Sequence, residues 1–240
     1  MSRLKARHEE ALAFGILLVL ASVVFTVWPE IDLAAARLFY VDGRFAGTTW
    51  AWSKFLYRWF PWFGAALLVG CGIVLLRARG TRRPPKGQVR RAGMVLMVAV
   101  FGVWLAVHAG LKDNWGRPRP GQVQAFNGPS VFQPALHASS ECRTNCSFVS
   151  GHAAGAFALL ALGGFGTRRT RWRWWFAGLG LGTAVGLARM AQGGHFFSDI
   201  VFSLVVIWGV TILVREVWLR VALRRRRARQ DVIAGLTRNP

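Results

Sequence analysis

His195 and Asp199 stand four residues apart, and Arg189 stands six before the histidine, in the run Arg189-Met-Ala-Gln-Gly-Gly-His195-Phe-Phe-Ser-Asp199. On a helix beginning near His195, that spacing brings imidazole and carboxylate to one face. A carboxylate beside a histidine selects its tautomer and stabilises its positive form. Gly193 and Gly194 would end any helix that carries Arg189. Two more polar groups need explaining. In Lys112-Asp-Asn-Trp-Gly-Arg-Pro-Arg119-Pro120, the prolines forbid regular helix, so the cations project from a stiff, extended turn. Taken alone, that run fits lipid head-group contact equally well. In Phe148-Val-Ser150-Gly151-His152, Ser150 is a natural N-cap, and the helix it opens aims free N–H groups at an anion. Gly151 lets the backbone approach a ligand closely, while His152 by itself could be an ordinary helix-start residue.

Together these groups hold the cations Lys112, Arg119 and Arg189, a helix N-terminus, two histidines and an aspartate. Positive charge around a nucleophile suits a phosphoryl group, whose transition state spreads charge over its equatorial oxygens. Carboxylates sufficient for a metal are missing, since Asp199 is needed by His195 and Asp113 stands beside Lys112. The chemistry implied is metal-independent and cofactor-free, through a phosphohistidine.

The elements that position these residues follow from composition. The chain has 240 residues, 53% hydrophobic, with a formal net charge of +21. The basic residues lie in blocks between apolar stretches, not on one face of a soluble fold, which argues against nucleic acid as a partner. Ala11–Pro29, Trp59–Leu76 and Ala92–Leu111 carry no charged residue. Each is close to the ~20 residues a helix needs to cross ~30 Å of hydrocarbon. Shorter apolar stretches follow at His152–Thr167, Trp174–Ala188 and Ile200–Val214, plausible as spans only if their polar ends are buried in protein. With the N-terminus inside, 21 of the 31 Lys and Arg residues fall on the cytoplasmic side. The positive-inside rule then implies six helices with both termini cytoplasmic and all three polar groups on the outer face. Trp28, Trp50, Trp52, Trp59 and Trp62 gather at the outer boundary and Trp172, Trp174, Trp175 and Trp218 at the inner one, as amphipathic rings should.

Residues 1–10 thus read as a cytoplasmic N-terminus, 11–219 as an all-α membrane domain with a helical-bundle catalytic core, and 220–240 as a basic cytoplasmic tail without order. Part of the first outer loop, Glu30 to Tyr57, is apolar and aromatic enough to lie along the membrane surface. The first span exceeds the ~7–15 residue core of a signal peptide and is expected to stay as an anchor. Cys71 reads as ordinary packing. Cys142 and Cys146, in an outer loop exposed to oxidising conditions, favour a small local disulfide over zinc, since no histidine follows at finger-like spacing.

The pattern resembles the type 2 phosphatidic acid phosphatase family, which shares its catalytic core with vanadium haloperoxidases. The family motifs K-x6-R-P, P-S-G-H and S-R-x5-H-x3-D are matched, in order and in register, by Lys112 to Arg119-Pro120, Ser150-Gly151-His152, and Arg189 to His195 to Asp199. Val149 stands where the family has Pro, and Ala188 where it has Ser. The resemblance implies that His195 attacks phosphorus, Asp199 orients it, and His152 protonates the leaving oxygen and then activates water. It implies that Lys112, Arg119, Arg189, Ser150 and the Gly151 N–H hold the phosphoryl oxygens; Arg117 and Asn114 lie outside the family motif, and their side chains are expected to help select the head group. The implied substrate is a lipid phosphate or diphosphate of the outer leaflet of an inner membrane, leaning towards lipid A or undecaprenyl diphosphate. No obligate protein partner is expected. A lipid phosphotransferase using the same phosphohistidine, or a non-catalytic lipid transporter, are the competing readings.

Overall fold

The computed structural model describes residues 3–238 and is mostly helical. Seven helices are named in chain order. They are α1 (Arg3–Val27), α2 (Glu30–Arg37), α3 (Ala51–Arg79), α4 (Lys86–Val98), α5 (Gly151–Phe157), α6 (Arg168–Ala191) and α7 (Phe197–Arg238). A wider π-helical stretch, Ala99–Lys112, extends α4 without a break, and a 3-10 stretch, Ala158–Gly163, extends α5. Two-residue strands, Tyr40–Val41 and Arg44–Phe45, make an antiparallel hairpin between α2 and α3.

Among the described residues, four helices are long and apolar enough to cross a membrane: Lys5–Val27, Ala51–Arg79, Lys86–Lys112 and Phe197–Asp231. The fourth and fifth expected spans fall short of that standard. Helix α5 with its 3-10 extension covers Gly151–Gly163, ~20 Å at the helical rise, against ~30 Å of hydrocarbon. Helix α6 is long enough at 24 residues, but Arg168, Arg169, Arg171 and Arg173 occupy its first two turns.

Helix α7 is the axis of the bundle. In its apolar window 61% of residues are buried inside the protein, against 6% in α3, which lies outside and turns Trp59, Trp62, Phe63, Val69 and Leu76 outward. Phe14 and Phe25 of α1 pack edge-on against Trp208 and Phe197 of α7. Small residues let the helices around the site approach closely. A Cβ on Gly186 would lie 2.6 Å from Ile200 of α7, and one on Gly182 would overlap the Phe157 ring of α5.

A second, smaller core covers the end that carries the α6–α7 turn, where Phe45, Phe126 and Phe196 pack with Ala36 and Val123. It pins the long segment between α4 and α5 over the α6–α7 turn, and the Gly121 N–H donates to the Gly193 carbonyl at 3.0 Å. Part of the segment from Glu30 to Tyr57 forms this cap, through α2 and the hairpin. Residues 220–238 continue α7 as helix, because Leu223 to Gln230 contains only good helix formers and extending an existing helix avoids a new nucleation cost.

Candidate active site

The α6–α7 turn carries the histidine. Gly193, with φ +66°, takes the left-handed conformation that stops α6. Gly194 has no Cβ because one would strike the Arg189 guanidinium. His195 follows, 1% exposed, just before α7 begins at Phe197. Its Nδ1 lies 2.8 Å from the carbonyl oxygen of Ser147 and 3.6 Å from Oδ2 of Asp199. A carbonyl only accepts, so Nδ1 carries the proton and Nε2 keeps the lone pair. Burial pulls the imidazole down to about 3, against the opposing influence of Asp199, so the ring is neutral at ordinary pH. A neutral imidazole with a free Nε2 lone pair is a competent nucleophile.

Asp199 reaches His195 less directly than the four-residue spacing implies. Its carboxylate accepts from Ser147 Oγ at 2.5 Å, from the Phe196 N–H at 2.8 Å and from Arg117 at 2.6 Å. Ser147 therefore links the pair, its hydroxyl on Asp199 and its carbonyl on His195.

Arg117 corrects the sequence reading, which gave it to the head group. It is wholly buried. It holds Asp199 with one nitrogen and Asp32 of α2 at 2.7 Å with another, while Nε donates to the Gln133 carbonyl. Its guanidinium lies 4.4 Å above the Phe196 ring. Ser198 completes the cluster by donating its N–H and hydroxyl to Asp32. Burial pushes the Asp32 carboxyl up while Arg117 pulls it down. Asn114 is also spent locally, since its amide donates to the Ala109 and Gly110 carbonyls and closes the π-helical stretch.

The three expected cations converge. Lys112 and Arg189 both act electrostatically on His195, and Arg119 acts on each of them. Lys112 donates to the side-chain oxygen of Asn145 and Arg119 to the Asn145 carbonyl. Arg189 donates to Gln192, which is itself anchored to Ser53 of α3. Its Nε is buried with no hydrogen-bond partner among the described residues.

Ser150 caps α5, its hydroxyl accepting from the Ala153 N–H, and its own N–H donates to the Asp199 carbonyl at 3.2 Å. Gly151 is packed so closely by His108 and Lys112 that a Cβ would lie 3.0 Å from the His108 ring. The Phe148–Val149 peptide is cis, at the position where the family motif has proline. His152 stacks on Tyr57 of α3 at 5.2 Å, and Arg189 lies 4.5 Å above the same ring. Tyr57 thus serves two site residues at once. Sequence reading missed Tyr57, Asp32, Ser147, Asn145 and His108; Asn145 lay between the paired cysteines and Asp32 and Tyr57 in the first loop, but nothing local tied them to the site. Those cysteines are bonded. Among the described residues, no group of three or more His, Cys, Asp or Glu gathers as a metal site.

A helical membrane bundle that gathers two histidines, an aspartate and three cations at one end defines a class. The chain belongs to the PAP2 superfamily, whose family model matches residues 92–222 and so includes all three motifs. It is a membrane lipid phosphatase of that type. Its relatives include the lipid A 4'-phosphatase of Francisella tularensis subsp. novicida (strain U112), 35% identical over 209 residues, which are 83% of this chain and 91% of that protein. The lipid A 4'-phosphatase of Rhizobium leguminosarum is 28% identical over 196 residues, covering 75% and 84% of the two chains. No solved structure matches significantly.

Proposed function

We propose that the protein removes a phosphate from lipid A, or a closely similar phosphorylated glycolipid, at the outer face of an inner membrane. The observation that carries the mechanism is the His195 ring itself, with Nδ1 committed to the Ser147 carbonyl, Nε2 left with its lone pair, and Lys112 and Arg189 close enough to act on it electrostatically. In the first step Nε2 attacks phosphorus, the phosphorus–oxygen bond to the lipid breaks, and His152 gives a proton to the leaving oxygen. In the second, His152 takes a proton from water, which attacks phosphorus and releases inorganic phosphate from His195. Lys112, Arg119 and Arg189 hold the phosphoryl oxygens through both steps, helped by the Ser150 hydroxyl and the Gly151 N–H. Asp199 stabilises the imidazolium as it forms. The nearby carboxylates Asp32 and Asp199 are engaged by Arg117, which supports a metal-independent reaction.

The distribution of Lys and Arg supports six crossings with both termini cytoplasmic. Helix α5 is then a short crossing that starts below the outer surface, roofed by the segment between α4 and α5. Lipid A is favoured over undecaprenyl diphosphate because two relatives aligned over most of their length carry the lipid A 4'-phosphatase name.

The test is phosphate release by purified protein from lipid A, undecaprenyl diphosphate, phosphatidylglycerophosphate and phosphatidate. His195→Ala should insert normally and lose turnover; activity within about tenfold of wild type would remove His195 as nucleophile. Wild type should work in a chelator and be inhibited by vanadate. A newly phosphorylated lipid in place of free phosphate would make the protein a phosphotransferase, and absence of both products would leave the transporter reading.

A further inference from the structure

The disulfide-closed segment Cys142-Arg-Thr-Asn145-Cys146 has no part in the reaction described above, yet it reaches two of the three phosphate-facing cations. Asn145 is in the left-handed conformation, φ +51°, which asparagine tolerates better than most residues. Three of its polar groups are committed to the motif that begins at Lys112. The side-chain oxygen accepts from Lys112 Nζ at 2.8 Å, the carbonyl accepts from Arg119 at 2.8 Å, and the N–H donates to Asp113 at 3.3 Å. The ring is also clipped on through its cysteines. The Cys146 N–H donates to the Lys112 carbonyl at 3.2 Å and the Cys142 N–H to the Gly116 carbonyl at 3.0 Å.

Holding Lys and Arg side chains in one place works against their rotamer entropy, ~2 kcal/mol each, and here against their mutual repulsion. Neutral oxygens suit that task. A carboxylate at the same point would cancel the positive charge and compete with the phosphoryl group. Each neutral oxygen occupies one donor of its cation and leaves the others free, since ammonium has three and guanidinium five.

We propose that Asn145 is a positioning residue that fixes Lys112 and Arg119 for the phosphoryl oxygens, and that the Cys142–Cys146 bond, by holding the Asn145 backbone, ties phosphate affinity to an oxidising surrounding. The inference rests on the phosphatase reading of the site.

Three variants test it: Asn145→Gly, which keeps the left-handed backbone and loses the side-chain oxygen; Asn145→Asp, which keeps the shape and adds charge; and Cys142→Ser combined with Cys146→Ser. The readouts are kcat and KM for lipid A, and vanadate binding by calorimetry, which needs no turnover. Asn145→Gly should raise KM and the vanadate Kd about tenfold, with kcat moving far less, as expected for loss of one charge-assisted hydrogen bond that organises binding. Asn145→Asp should weaken vanadate further, although its shape is the more conservative. Reduced wild type should match the double serine variant, which dithiothreitol should leave unchanged. A merely structural role would lower folded yield and kcat together, without the KM split or the Gly-to-Asp ranking. Vanadate Kd and KM within twofold of wild type for both Asn145 variants would overturn the positioning role. Unchanged affinity in reduced wild type would overturn the redox coupling. A wild type that neither hydrolyses lipid phosphates nor binds vanadate would overturn the phosphatase reading itself, and this inference with it.

Discussion

Arg117 sits between Asp32 and Asp199, with all three side chains fully excluded from solvent. One cation facing two buried carboxylates is tolerable only because Ser198, Ser147 and the Phe196 N–H share the negative charge. Removing the cation would leave both carboxylates unpaired, at a cost of ~3–5 kcal/mol. Arg117→Met should therefore lower the thermal midpoint in detergent far more than Arg119→Met, whose side chain is partly exposed; equal shifts would show that Arg117 is not the structural cation. His195 makes a separate prediction about pH. The unfolded chain takes up a proton at this histidine below about pH 6.5, while the folded protein resists until about 3. Stability should fall as pH drops through that window, and His195→Gln should lose that component. The check is the difference in thermal midpoint between wild type and variant from pH 7 to pH 4; a difference that stays constant would mean the ring is solvated.

At the scale of elements, the site depends on how closely α6 can approach α5 and α7. Gly182 and Gly186 face Phe157 and Ile200 one helical turn apart, whereas Gly180 has open space beside it. Adding a methyl at a filled position costs about 1–3 kcal/mol, and adding one at an exposed helical position is neutral or helpful. Gly186→Ala should lower folded yield and thermal midpoint, measured by fluorescence-detected chromatography, while Gly180→Ala should not. Similar behaviour of the two would mean that the small-residue face of α6 is not what sets the packing. The consequence for function is direct, because α6 delivers Arg189 and α7 delivers Asp199, and the turn between them holds His195.

For the whole molecule, orientation is the testable property. The α3–α4 connection carries Arg82 and Arg83, and the segment over the site carries the exposed Val131. With Cys71 buried and Cys142 and Cys146 bonded, a single introduced cysteine is the reactive one. Val131→Cys should react with a membrane-impermeant thiol reagent added to the outer side, and Arg83→Cys should react only after permeabilisation. The reverse pattern would place the active site in the cytoplasm and exclude lipid A of the outer leaflet as substrate.

The motif residues were legible in the sequence because their roles need fixed spacing along one chain segment: six residues from Arg189 to His195, four more to Asp199. The long apolar helices were equally legible, since hydropathy and length are local properties. Helices α5 and α6 were less so, because a short apolar helix and an arginine-rich start are made tolerable by neighbours that no local window contains. Arg117 was misassigned for the same reason. Two residues from Arg119 and alike in chemistry, it turns inward because Asp32, far away on α2, and Asp199 wait there, and only the packing of α2 against α7 brings them together. Tyr57, Ser147 and Asn145 follow suit. The sequence alone determined the class of membrane protein and picked out the residues proposed to react. The tertiary structure decided which oxygen holds the histidine proton, which arginine is structural, and what steadies the cations, because those are contacts across long separations that spacing cannot encode.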